Sequence, residues 1–159
     1  MPAHPEFVTL EILIAARTQI GYPVTVVDSP AGEATAFSPI DLSKSRLAAD
    51  AEALTAGRLA GEARLQEFGR LLFESIFVDE VAHLYRASLS MAMAQGKLLR
   101  LHLRFDAPEL AALPWEYLYD LQDERLLAVT LDCAVTRSIA VAAPTPALAV
   151  QPLCACWWC

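Results

Sequence analysis

The chain has few cysteines, little positive charge and no long apolar run, and each shortage removes a class of function. Of its four cysteines, Cys133 stands alone, while Cys154, Cys156 and Cys159 crowd the last six positions. That distribution is no disulfide framework for a small secreted domain, so a reduced, cytoplasmic setting is expected. Twelve Lys and Arg face nineteen Asp and Glu, a net charge of −7. Phosphate affinity comes mainly from Lys and Arg, so nucleic acid is not an expected partner. Anionic lipid is disfavoured for the same reason. No stretch approaches the roughly 20 apolar residues that span a bilayer. The opening MPAHPEF has no basic segment ahead of an apolar one, so no secretory signal is expected.

What is present is enough for one folded domain. The 159 residues are 55% hydrophobic and 19% charged, on the globular side of the boundary with disorder. Val8, Leu10, Ile12 and Ile14 alternate with Thr9 and Glu11, the period of a half-buried strand. A β-branched run, Val24, Val26 and Val27, follows Tyr22-Pro23, which predicts a hairpin with Thr18 to Gly21 as its loop. A second turn at Ala31-Gly32-Glu33 leaves Ala34 to Phe37 for a short third strand.

From Leu42 to Thr55 good helix formers predict a first helix, with Gly57 and Gly61 bracketing its end. A second helix is expected from Glu62, with Leu65, Phe68, Leu72 and Ile76 at helical spacing. Asp79 is the expected N-cap of a third, whose apolar face runs through Val81, Leu84, Tyr85, Ser88, Leu89 and Ala92. Gly96 suits the position just past that helix. The clearest strand follows: Leu99, Leu101, Leu103 and Phe105 face one way, and Arg100, His102 and Arg104 the other. One side should pack on the helices, and the other should meet solvent or a partner. Asp123-Glu124 reads as a reversal, with strands expected over Leu126 to Thr130 and Ala134 to Ala140. The order of elements predicts an α+β fold: an N-terminal hairpin, two or three helices, then a short mixed or antiparallel sheet.

Between these strands lies APELAALPWEYLYD. Pro114 can open a helical turn, Trp115 brings a large apolar surface whose indole N–H needs a partner, and Glu116 sits where a helix N-terminus favours negative charge. These properties describe a packing corner rather than a catalytic site.

The segment from Lys97 to Ile139 is similar to the front of CHAT domains, in the caspase–separase–gingipain group of cysteine peptidases. LLRLHLRF, APELAALPWEYLYD, LLAVT and VTRSIA carry the resemblance, together with the upstream FGRLLFESIFVDEVAHLYRASLSMA. Its most specific pieces are Leu113, Pro114, Trp115, Glu116, Tyr117, Leu118, Tyr119 and Asp120, with Arg137 in the later strand. The resemblance implies a structural role for these residues. It places the family's chemistry, a His base usually followed by Gly and a Cys nucleophile, after the point where this sequence ends. Here His4, His83 and His102 all lack a following Gly, and Cys133 matches no family nucleophile position. A Cys133–His102 dyad is the one pairing to weigh, against a core thiol and a surface imidazole.

The resemblance divides the chain into a hairpin region over 1–40, a helical lead-in and CHAT front over 41–140, an Ala- and Pro-rich linker over 141–153, and a tail over 154–159. In related sequences the linker leads to a strand such as PLRVLVV. Codons CTG CGC GTG CTG GTG GTG CTG for Leu-Arg-Val-Leu-Val-Val-Leu, read one base late, give Cys-Ala-Cys-Trp-Trp-Cys, the tail seen here. A frameshift near Leu153 is therefore expected. The rival for Cys154, Cys156 and Cys159 is a zinc or copper(I) thiolate site, which lacks an evident fourth ligand. No cofactor or metal is expected. The chain is expected to be the non-catalytic front of a caspase-like protein, with the missing catalytic half or another protein as its partner. The alternative is a free-standing interaction module that uses a sheet edge or face.

Overall fold

The computed structural model describes residues 6–42 and 45–139. Strands β1 (Phe7–Ile14), β2 (Tyr22–Asp28) and β3 (Ala34–Ser38) form an antiparallel meander. Helices α1 (Leu47–Thr55), α2 (Glu62–Ile76) and α3 (Asp79–Ala94) follow, and then strand β4 (Leu98–Phe105). A short helix α4 (Pro108–Ala111) and a 3-10 turn (Trp115–Tyr117) lead to a two-residue hairpin, β5 (Tyr119–Asp120) and β6 (Arg125–Leu126). A second 3-10 turn (Leu127–Val129) delivers the chain to β7 (Cys133–Ile139). The fold is α+β, as the order of elements predicts.

The main sheet has the order β3-β2-β1-β4-β7. Its first two pairings are antiparallel; β1 with β4 and β4 with β7 are parallel. The 7–38 segment therefore shares one sheet with β4 and β7. Leu10, Ile12, Ile14, Val24, Leu99, Leu101, Leu103 and Phe105 are fully buried on one face. There α3 packs across β1, β3 and β4, while α2 packs on β5 and the 115–117 turn. The α2–α3 seam holds an aromatic cluster, with Phe73 stacked on Phe77 at 4.2 Å and Tyr85 against both. Helices α1 and α3 both end in Schellman turns. After α3, Lys97 N–H bonds Ala92 O and Gly96 N–H bonds Met93 O at 3.0 Å each, with Gly96 at φ +65°.

Three expectations need correction. Helix α1 begins at Leu47, not Leu42; ahead of it Ser45 N–H bonds Asp41 O at 2.7 Å. Asp79 is not the N-cap. Val78 occupies that position, and Asp79 enters the helix with φ +44° and no capping bond from Val78. No strand runs from Leu126 to Thr130: only Arg125–Leu126 pair, and the next residues coil. The fully buried Leu127 accepts from Thr130 Oγ1 at 2.9 Å, so the chain turns a corner there. The residues expected to form the linker and the tail lie outside the described residues.

Candidate functional site

The LPWEYLYD block is a corner where helices, hairpin and sheet edge meet. Leu113 and Leu118 are buried. Pro114 precedes the 3-10 turn and sets the chain direction into it. Trp115, 1% exposed, donates its indole N–H to Leu110 O at 2.7 Å and stacks on Phe105 with centroids 5.1 Å apart. The sequence required a partner for that N–H, and the end of α4 supplies one. Tyr117 meets Phe68 of α2 edge-on, and Tyr119 is buried in β5.

Asp120 has the most buried charge of the block. Its side chain is wholly inaccessible, yet it is fully engaged. Oδ1 accepts from Arg86 Nη2 of α3 and from Gln122 N–H, and Oδ2 receives Tyr85 Oη at 3.5 Å. Arg86 also reaches Asp123 at 2.9 Å. One guanidinium thus ties the end of β5 and the turn that follows it to α3. Burial raises the Tyr85 phenol well above its ordinary pKa, and the neighbouring Cys133 and Asp120 add to the rise.

Glu116 and Arg137 sit at the rim. Arg137 Nη1 donates to Leu113 O at 2.8 Å and lies 3.9 Å from Glu116 Oε2. Of the predicted residues, the structure brings Trp115, Glu116 and Arg137 together around a cavity of about 170 Å³ against β7. Ala128, Val135 and Thr136 complete its lining.

Arg86 and Gly69 escaped the sequence reading. Gly69 is buried mid-helix in α2, where a Cβ would strike Tyr117 O and come within 2.8 Å of Tyr119 Cβ. The signal was there: a glycine inside a good helix costs about 1 kcal/mol and usually marks a close approach. Arg86 could have been suspected as a charge beside the apolar face of α3.

The candidate dyad does not form. Cys133 is not between strands but opens β7, opposite Leu99, with its side chain on the covered face. His102 pairs with Thr136 in the next strand and faces the open side, with Nε2 3.0 Å from Ser138 Oγ and Nδ1 3.7 Å from Glu11 Oε2. The sheet stands between thiol and imidazole. Burial, with the nearby charge of Asp132, pushes the Cys133 thiol up to about 11, so it stays protonated and unreactive near neutrality. His83 is exposed on α3 beside Glu80, and His4 lies outside the described residues.

Among the described residues no group of His, Cys, Asp and Glu is placed to hold a metal. Cys154, Cys156 and Cys159 lie outside them. No helix of the described residues is long and apolar enough to cross a membrane.

The face of the sheet opposite the helices carries Glu11, Arg100, His102 and Arg104. Arg104 bonds Glu11 at 2.7 Å, and Arg100 lies over the Phe7 ring at 4.3 Å. Towards β3 it turns apolar, with Val27 and Phe37 exposed. No family model matches the chain, and no curated protein or solved structure matches it.

Proposed function

We propose that this chain is the front, non-catalytic part of a CHAT-type caspase-like protein, separated by a frameshift from the half that holds the His base and the Cys nucleophile. The observation that carries the reading is how the resembling block is used. Trp115, Leu118 and Asp120 are spent on packing and on one buried ion pair. The single described thiol is buried on the far side of the sheet from His102. The partner is a protein, first of all the missing catalytic half; nucleic acid and membrane are not partners, and the setting is cytoplasmic.

Sequencing the locus across Gln151 to Cys159 and about a kilobase beyond tests this. The adjacent frame should continue as LRVLVV and later supply a His-Gly and a Cys. Closure of every frame defeats the reading. Purified chain should also leave peptide pools uncut, and cleavage that disappears in Cys133→Ala would refute its non-catalytic role.

One observation favours a second reading, a protein-interaction module. Strands β1, β4 and β7 run parallel, yet among the described residues helices cover only one face. Parallel strands are almost always covered on both. A module should be monodisperse and melt cooperatively alone; a molten or aggregated chain counts against it.

A further inference from the structure

We infer that Ser138 is an acceptor for acyl groups, a hydroxyl that the imidazole of His102 readies for attack on small activated acyl donors. The inference stands apart from the proposed function: an acyl group is transferred to this chain, and no peptide bond is cut.

The sheet builds the arrangement. Glu11 of β1 pairs with His102 of β4, and Arg104, two residues on in the same strand, pairs with Ser138 of β7. Side chains alternate between faces along a strand. With Leu10, Ile12, Leu101, Leu103 and Cys133 on the covered face, these four share the other one. Three adjacent strands therefore carry a carboxylate, an imidazole and a hydroxyl in a row. His102 Nε2 lies 3.0 Å from Ser138 Oγ, and Nδ1 faces Glu11 Oε2 at 3.7 Å. Arg104 Nη1 donates to the other carboxylate oxygen, Oε1, at 2.7 Å and holds it in place.

The two ring nitrogens thus have different neighbours. A carboxylate beside Nδ1 favours the proton there and leaves Nε2 to accept from the Ser138 hydroxyl. Hydroxyl, base and a third group that orients the base are the parts that activate a serine. Glu11 acts only through His102, as a positioning residue. Among the described residues Ser138 is exposed, whereas the thiol of Cys133 is buried.

The step follows from these groups. Oγ attacks the carbonyl carbon of the donor while its proton passes to Nε2. The bond from carbon to the leaving group then breaks, and the leaving group departs with the electron pair and takes the proton from Nε2. The chain gains one ester at Ser138, and the donor is released as an alcohol or thiol. The row carries no donor for a developing oxyanion, so the acyl group must come with a good leaving group, as in an aryl ester or thioester. Peptide amides have none.

The test treats the full chain with p-nitrophenyl acetate near neutral pH. Peptide mapping should place an acetyl group on Ser138 ahead of the exposed Thr136 and Ser90. His102→Gln should slow that labelling about a hundredfold, the low end of what a general base contributes. Its melting temperature should stay unchanged. Glu11→Gln should slow labelling too, and nitrogen NMR should show the His102 proton moving from Nδ1 towards Nε2, which a loss of packing alone would not cause. A folded chain that leaves Ser138 unlabelled overturns the inference. So does labelling that is as fast in His102→Gln or in urea, or that spreads evenly over exposed Ser and Thr. These outcomes are independent of the sequence of the locus, which decides the proposed function.

Discussion

Arg86 of α3 and Asp120 of β5 form an ion pair in which the carboxylate is wholly buried and the guanidinium keeps about a quarter of its surface in water. Thirty-four residues separate the two partners in sequence. Breaking such a pair from one side leaves an uncompensated charge and costs about 3 kcal/mol or more. Asp120→Ala should lower the unfolding free energy measured in urea by that amount, at the low end because Asp123 still holds Arg86. Asp120→Asn keeps an acceptor for Gln122 N–H and should cost about 1–2 kcal/mol. Pairing either change with Arg86→Met should give a non-additive result, by about 1 kcal/mol or more.

Gly69→Ala is expected to be worse than its single methyl suggests. The added carbon meets backbone at Tyr117 and the Cβ of Tyr119, neither of which is a flexible side-chain end. Helix propensity gains about 1 kcal/mol, and overpacking costs about 1–3 kcal/mol or more. We expect a net loss of stability in thermal melts; a gain would mean that α2 slides on the corner without penalty.

At Trp115 two substitutions separate packing from hydrogen bonding. Trp115→Phe keeps a ring against Phe105 and removes one of two donors to Leu110 O, which still accepts from Leu113 N–H at 3.1 Å, for about 1 kcal/mol. Trp115→Ala should cost about 3–5 kcal/mol. Equal losses in denaturant titrations would contradict a stacked, bonded indole.

Cys133 links stability to alkaline pH. Its thiol is raised from 9.0 to about 11 by burial. Between those values the unfolded chain releases its proton first, so the native state binds more protons and stability falls as pH rises. The loss should reach about 2–3 kcal/mol by pH 11, and Cys133→Ala should flatten that part of the profile. Well below pH 9 the thiol is protonated in both states and contributes no slope. Iodoacetamide should label the native chain slowly at pH 8 and rapidly in denaturant.

The elements most legible in the sequence were those whose signals are local. The alternation of Leu99, Leu101, Leu103 and Phe105 against Arg100, His102 and Arg104 is the burial pattern of β4. Gly96 stands where a Schellman turn needs positive φ. The hairpin at Thr18 to Gly21 closes with Thr18 N–H on Gly21 O at 2.8 Å. Leu126 to Thr130 looked like a strand because Leu, Val and Thr suit one, but burial of Leu127 and the route to β7 decided otherwise. Parallel pairing of β1 with β4 left no trace in either strand, since register between distant segments is set by what both bury. At the corner, the demands of Trp115 were readable from its chemistry, whereas Asp120 shows its role only once α3 is in place.

The parallel pairing of β1 with β4 also has a consequence for synthesis. Phe7 lies opposite Leu98, so β1 leaves the ribosome some 91 residues before its central neighbour (98 − 7). At about 5–20 residues per second that is a wait on the order of ten seconds. The first three strands can pair as a meander within that time, but the middle strand of the finished sheet must spend it as an outer one. Anything that holds that border in the interval, a chaperone or the neighbouring nascent chain, competes with β4 for the same row of backbone groups.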